Sequence, residues 1–369
     1  MHIGINTLGM QIGNTGGLQT YTEELIRALA KVDQVNRYTI FVYKDAGEHY
    51  KVNNPNFKYV YCNVSQNWRR WSLIWRNSFF YSVVKKSKVD LLHSPANLAS
   101  LFLPVPSVLT LHDTIPFQKI YMDIRPFYRH IDMAVIRRSV NQSRAIITVS
   151  QSSKLDIVNH LKISPSQVEV IYHGMPSFPS KTSLSERCAK PYILWAGRTS
   201  AHKNLMRLIR AYDILVRTKN IKHDLYLVGM RGYRHNNLIK EIERLGLKGR
   251  ILFLGFHECS QLKTFYENAS LFVFPSLVEG FGFPIVEAMS CETPVVTSNR
   301  GAMKEVAGDA AYLVDPENVE DIARGMWEVI SSLDLQEQLI SKGQERVKQF
   351  SWEKCAIQTL NVYSAICKN

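Results

Sequence analysis

The chain has 369 residues, 46% hydrophobic and 21% charged, which excludes a disordered or fibrous protein and allows two cores of ordinary size. Its net charge of +13 is uneven: residues 1–184 carry 21 basic against 11 acidic side chains, residues 185–348 carry 22 against 20. Such a basic half suits nucleic acid, an anionic membrane surface or a phosphorylated substrate, and charge alone does not choose among them.

Met1 leads straight into HIGIN, so the expectation is no signal peptide. The next loop, GMQIGNTGGLQTY, joins that strand to the helix TYTEELIRALAKV. Gly16 and Gly17 would let backbone approach a ligand at a helix N-terminus, although a plain βα turn reads equally well. Their spacing, G-x-x-G-G, is not the dinucleotide fingerprint G-x-G-x-x-G. The runs YTIFVYK, FKYVYC, VDLLHS, SVLTLHD, AIITVS and VEVIYHG follow as strands. Short apolar runs rich in β-branched residues predict a parallel sheet covered on both faces. His112 and Asp113 close SVLTLHD, at the carboxyl edge where open α/β sheets bind ligands. Between these runs, Trp68, Trp71, Trp75 and Phe79 fall at helical spacing among Arg69, Arg70, Arg76, Lys85, Lys86 and Lys88. A helix of that kind can lie in an anionic membrane interface, or pack its rings under the sheet while the cations reach water. The apolar run LASLFLPVPSVLTL is broken by Pro104 and Pro106, so no transmembrane span is expected.

The pattern dissolves at MPSFPSKTSLSERCAKP, which reads as an interdomain linker. Strands restart with YILWAG, LYLVGM, ILFLGF, LFVFP and PVVTS, with helices between them. The first is followed by GRTSAHKN, where Arg198 and Lys203 stand at a strand-to-helix junction. Two cations there can neutralise a diphosphate, Arg as a fork and Lys as a point charge. Next comes the most specific segment, SLVEGFGFPIVEAMS. Glu279 sits on a turn made by Gly280, Phe281 and Gly282, and Glu287 on the helix the turn starts. Pro284 suits the first helical position, and eight helical steps put the two carboxylates about 12 Å apart. Paired carboxylates accept hydrogen bonds from hydroxyl groups, so the span fits a sugar and a ribose with phosphates between. The last stretch, SWEKCAIQTLNVYSAICK, has helical spacing and is expected to reach back to the first domain. The six cysteines (62, 188, 259, 291, 355 and 367) are scattered without metal or C-x-x-C spacing, as in reduced thiols of a cytoplasmic protein.

Glu279 and Glu287 in EGFGFPIVE, Arg198 and Lys203 in GRTSAHKN, the loop at Gly16–Gly17, LHD at 111–113 and FSW at 350–352 together resemble retaining glycosyltransferase family 4, nearly end to end. The resemblance implies an α/β protein of the GT-B fold, two Rossmann-like doubly wound domains facing a central cleft. Residues 1–177 would bind acceptor, with a C-terminal helix at about 353–369 packing back on them, and 178–352 would bind the nucleotide-sugar. By the same resemblance Arg198 and Lys203 hold the diphosphate, Glu287 the ribose and Glu279 the transferred sugar. Backbone around Phe281, Gly282 and Phe283 touches sugar and phosphate, Phe256 and His257 line the base, and His112 sits by the sugar's reacting face. VIYHGM at 170–175 departs from the family, where many relatives have Asn before the glycine, leaving the role of His173 open.

The implied activity is retaining hexosyl transfer. No D-x-D occurs in the chain, so the usual carboxylate perch for a divalent ion is missing, and no metal or other cofactor is expected. The cations would then stabilise the leaving phosphate, which itself takes the acceptor's proton during same-face attack. The wording of EGFGFP and LHDTIPF resembles bacterial surface-polysaccharide mannosyltransferases. That implies GDP-mannose as donor and an oligosaccharide or polyprenyl-diphosphate-linked acceptor, as in O-antigen, capsule or exopolysaccharide synthesis. The location implied is the cytoplasm, peripheral on the inner face of the cytoplasmic membrane. UDP-glucose or a UDP-N-acetylhexosamine is the alternative donor, and a non-catalytic sugar-nucleotide-binding protein a more distant reading. A dehydrogenase fails on the fingerprint and leaves the two glutamates without a shared task. A nucleic-acid partner fails for want of a recognition motif.

Overall fold

The computed structural model describes residues 1–10, 12–13, 16–67, 78–100, 102–118, 126–175, 178, 190–232 and 235–368. The rings at Trp68, Trp71 and Trp75, the arginines beside them and most of the linker segment lie outside these residues. The described chain divides into two compact units, one gathering residues of 1–118, 125–174 and 350–369, the other those of 175–349.

The first unit is a seven-stranded sheet: β1 (His2–Asn6), β2 (Arg37–Tyr43), β3 (Phe57–Cys62), β4 (Leu91–Ser94), β5 (Ser107–Thr110), β6 (Ala145–Thr148) and β7 (Val168–Val170). All neighbours pair parallel, in the order β3-β2-β1-β4-β5-β6-β7. Parallel strands need crossovers, and among the described residues α1 (Gly17–Val32), α2 (Phe80–Ser87), α3 (Pro126–Gln142) and α4 (Gln151–Leu161) belong to them. Helix α1 turns Tyr21, Leu25, Ile26 and Leu29 inward at i, i+4, i+5 and i+8, one apolar stripe. Ser150 caps α4, its side chain accepting from the Ser153 N–H at 3.0 Å.

The second unit repeats the plan with six parallel strands: β8 (Tyr192–Ala196), β9 (Asp224–Val228), β10 (Ile251–Gly255), β11 (Leu271–Phe274), β12 (Val295–Ser298) and β13 (Tyr312–Val314). Their order is β10-β9-β8-β11-β12-β13. The helices are α5 (Leu205–Lys219), α6 (His235–Arg244), α7 (Cys259–Glu267), α8 (Phe283–Ser290), α9 (Gly301–Ala307), α10 (Val319–Ser331) and α11 (Leu333–Val347). The chain then returns to the first unit, where α12 (Trp352–Lys368) packs along α1.

Three details differ from the sequence reading. The strand read through His112 stops at Thr110, because the His112 N–H leaves the ladder for the Asn97 side chain at 2.8 Å. The strand read from VEVIYHG pairs only over Val168–Val170. The three-residue β13, pairing Val296 with Tyr312, was too short to stand out.

Candidate active site

In open parallel sheets, ligands bind outside the carboxyl ends of the strands where the strand order reverses. In the second unit that point lies between β8 and β11. Arg198 and Lys203 follow β8 and Glu279 follows β11, so the sheet order alone brings the two sequence-distant motifs to one place. The loops are stitched together. Asn204, held in the left-handed region at φ 61°, donates its amide to the carbonyls of Pro275 (3.0 Å) and Pro316 (2.6 Å). The Leu277 N–H reaches the His202 carbonyl at 2.8 Å. Sequence reasoning quoted Asn204 within a motif but gave it no task; its partners are 71 and 112 residues away.

Lys203 Nζ lies 2.7 Å from Glu279 Oε1, with both side chains nearly buried at 14% and 11% exposure. The ammonium also stands 4.7 Å from the centre of the Phe274 ring. Glu287 is anchored from the other side by the Tyr266 hydroxyl, which donates to Oε2 at 2.8 Å. Burial raises the Glu287 pKa, while Tyr266 and the nearby Lys203 charge oppose the rise. One lysine therefore influences both glutamates. His202 is pushed down to about 4 by burial, with Glu279 working against the shift and Lys203 with it, so the imidazole is neutral.

The turn between the glutamates has Gly282 at φ 101°, a backbone region that favours glycine. Helix α8 begins at Phe283, so Pro284 is its second residue and not its first. Glu279 precedes the helix by four residues, so the 12 Å helical estimate does not apply to the pair. Phe281 and Phe283 pack edge to face at 5.5 Å.

Arg198 is exposed, with Nη2 3.5 Å from the Met230 sulfur. Its loop is packed against the one after β9: a Cβ on Gly229 would land 1.9 Å from the Gly197 carbonyl oxygen. Phe256, just after β10, is 65% exposed. His257 is held to Gln261 Oε1 and the Leu254 carbonyl, each at 3.1 Å. Beside them, at the carboxyl ends of β8, β9 and β10, is a cavity of about 170 Å³ lined by Trp195, Thr199, Gly229, Arg231 and His235 among others. Two buried atoms of that lining, Trp195 Nε1 and His235 Nδ1, have no hydrogen-bond partner among the described residues. Sequence reasoning did not single out either residue.

In the first unit the order reverses between β1 and β4. Gly16 (φ 50°) caps α1 and Gly17 is its first residue; a Cβ on Gly16 would meet nothing within 4 Å. His112 lies just beyond β5, buried, its Nε2 3.0 Å from the Pro95 carbonyl. A carbonyl only accepts, so Nε2 carries the proton and Nδ1 the lone pair. Burial pushes its pKa down to about 4 against the Pro95 bond, so the ring is neutral at physiological pH. The His112 carbonyl accepts from the Ser153 hydroxyl at 3.1 Å. Tyr21 meets the ring edge-on at 4.7 Å, and His173 stacks on it at 5.3 Å. Among the described residues no group of three His, Cys, Asp or Glu side chains is placed to hold a metal ion.

Two parallel-sheet Rossmann-like units, one with paired glutamates and a lysine at its switch point, define a glycosyltransferase of the GT-B fold. The comparisons agree. Residues 15–176 match the description "Glycosyltransferase Family 4" and residues 180–346 "Glycosyl transferases group 1". The chain is 30% identical to O-antigen chain mannosyltransferase B of Escherichia coli over 269 residues, 70% of each protein. It is 27% identical to O-antigen chain mannosyltransferase RfbU of Salmonella typhimurium over 327 residues, 84% of this chain and 86% of that one. Sucrose-phosphate synthase from Thermosynechococcus elongatus shares the fold with a TM-score of 0.79 over 99% of both chains, at 19% identity. The chain belongs to glycosyltransferase family 4.

Proposed function

We propose that this enzyme transfers mannose from GDP-mannose, with retention and without a metal ion, to a glycan or polyprenyl-diphosphate-linked acceptor of a surface polysaccharide. The names of its relatives support the sugar and the pathway class. The observation that carries the chemistry is Lys203 paired with Glu279 at the switch point of the second sheet.

Without donor, Glu279 neutralises Lys203. A bound diphosphate competes for the same ammonium, which frees Glu279 to accept from hydroxyls of the transferred sugar. Glu287, oriented by Tyr266, accepts from the ribose. Phe256, His257 and the neighbouring cavity take the base, with the Trp195 N–H as a donor toward it. As the glycosidic bond breaks, charge grows on the leaving phosphate, and Lys203 and Arg198 stabilise it in a partly dry site. The same phosphate oxygen takes the acceptor's proton, so attack comes from the face the nucleotide leaves. His112, neutral, offers Nδ1 as an acceptor to a sugar hydroxyl.

The anomeric configuration of the product, read by proton NMR, tests retention directly. An α-linked product from an α-linked donor is expected; a β-linked one overturns the mechanism. Peripheral attachment to the inner face of the membrane is part of the same proposal. Among the described residues no helix is long and apolar enough to cross a membrane. Phe79 (60% exposed) and Tyr81 (40%) at the start of α2, with the exposed Lys85 and Lys86 in its last turn, give the helix exposed apolar and basic side chains. Binding to vesicles rich in phosphatidylglycerol, weakened in the Phe79→Ser, Tyr81→Ser variant, is the expected result. Wild-type protein that ignores such vesicles removes this part of the proposal.

A further inference from the structure

We infer that His173 is a positioning residue for His112, holding its imidazole so that Nδ1 stays turned to accept a hydroxyl hydrogen. The inference rests on the reading of His112 as the residue beside the transferred sugar, and concerns the first unit only.

The His112 backbone is fixed on both sides, by Asn97 at the amide and Ser153 at the carbonyl. Among the described residues its ring has one hydrogen bond holding it, from Nε2 to the Pro95 carbonyl. A single bond at one corner leaves the plane free to rock about it. Two neighbouring rings restrain that rocking: Tyr21 meets the edge, and His173 lies nearly parallel to the face, at 30° between planes.

His173 is itself braced. Its ring is 4.8 Å from Tyr21 and 5.9 Å from Trp352, the first residue of α12. The backbone beyond it is pressed on the same tryptophan: a Cβ on Gly174 would lie 2.3 Å from both the Trp352 nitrogen and its Cγ. Trp352, His173 and His112 thus form a run of packed rings, with Tyr21 touching all three. This gives the FSW segment and the histidine before Gly174 a shared task. An asparagine at 173 has no ring with which to do it.

Burial holds both imidazoles neutral, His112 at about 4 and His173 well below its usual value. Two stacked neutral rings attract; a second proton on the pair would repel the first. Among the described residues, the Pro95 carbonyl accepts from the His112 ring, Tyr21 packs against both imidazoles, and His93 lies close enough to His112 to be held down further by it.

The experiment compares the full-length wild type with His173→Ala, His173→Asn, His173→Phe, His112→Ala and the His112→Ala, His173→Ala double variant. The readouts are GDP release from GDP-mannose, or the equivalent for whichever donor the wild type cleaves, and each variant's melting curve. His173→Ala and His173→Asn should lower kcat by roughly 10–100-fold, as expected for a misplaced group, with donor KM within about twofold of wild type. His173→Phe keeps a flat ring and should retain about a third or more of the rate; it also keeps the test open if the alanine variant does not fold. In the His112→Ala background, removing His173 should change the rate by less than about twofold, because the two act as one unit. Normal kcat in folded His173→Ala, or losses that simply multiply in the double variant, overturn the inference. Normal turnover in His112→Ala instead removes the underlying reading of His112, so the two failures are distinct.

Discussion

At the scale of single residues, the proposed chemistry turns on the ion pair between Lys203 and Glu279. Each partner's removal has a different signature. Lys203→Ala takes away the cation proposed to meet the diphosphate and leaves Glu279 without this ion pair. GDP affinity should fall at least about tenfold, and stability by the few kcal/mol typical of a broken buried pair, about 3–5. Glu279→Ala frees the lysine instead. GDP should bind as well as before or better, while turnover falls by orders of magnitude; calorimetry with GDP checks both. Tyr266→Phe removes the 2.8 Å bond that orients Glu287, and should raise donor KM severalfold with a smaller effect on kcat, measured in steady state. The four charged residues were legible in the sequence because their types and order are specific. Their supports were not. Tyr266 lies 21 residues before Glu287, and a tyrosine in an ordinary helix carries no signal until the fold sets it there.

At the scale of elements, the strands and glycine turns were visible as apolar runs and breaks, and they account for most of the topology. Their ends were not, because they are decided by partners outside the strand. The ladder beyond β5 gives out because Asn97, 15 residues before His112, takes the His112 amide. The helix start at Phe283 was misjudged by one residue because proline is comfortable at either of the first two positions. The backbone-to-backbone packing of the loops after β8 and β9 also could not be read from sequence. Gly229 sits at φ 130° with the Gly197 carbonyl where a Cβ would go. Gly229→Ala should push the Arg198 loop aside, costing at least the ~1–3 kcal/mol of ordinary overpacking, and weaken GDP binding together with the melting temperature. An alanine variant with wild-type affinity and stability would show that the loop contact does not shape the site.

At the scale of the whole molecule, buried neutral histidines tie stability to pH. In the first unit His93 is held down to about 3 by burial and then by His112, His112 to about 4, and His173 well below its usual value. All three titrate lower in the fold than the ordinary value of about 6.5, so the unfolded chain binds their protons first. Their contribution is complete above about pH 6.5 and is lost as pH falls toward 4, with a slope of up to ~1.4 kcal/mol per pH unit for each histidine. Urea unfolding followed at pH 7.5, 5.5 and 4.5 should show the midpoint falling through this window. A midpoint unchanged from 7.5 to 4.5 contradicts the buried neutral cluster. The cluster joins α1, β4, β5 and α12, since His93 bonds both Tyr363 (2.6 Å) and Thr110 (2.8 Å), and Thr110 in turn meets Tyr21 at 3.1 Å. The return of the chain to its first unit was legible as a helix pattern; the hydrogen-bonded chain that fastens it was not.

The most direct measurement is nucleoside-diphosphate release from a panel of GDP- and UDP-sugars, in EDTA, with wild type, Lys203→Ala and Glu279→Ala. Release from GDP-mannose alone, undiminished by EDTA and lost in both variants, is the predicted result. Preference for a UDP-sugar, abolition by EDTA, or full activity in the variants would contradict respectively the donor, the metal independence, or the placement of the chemistry at this ion pair.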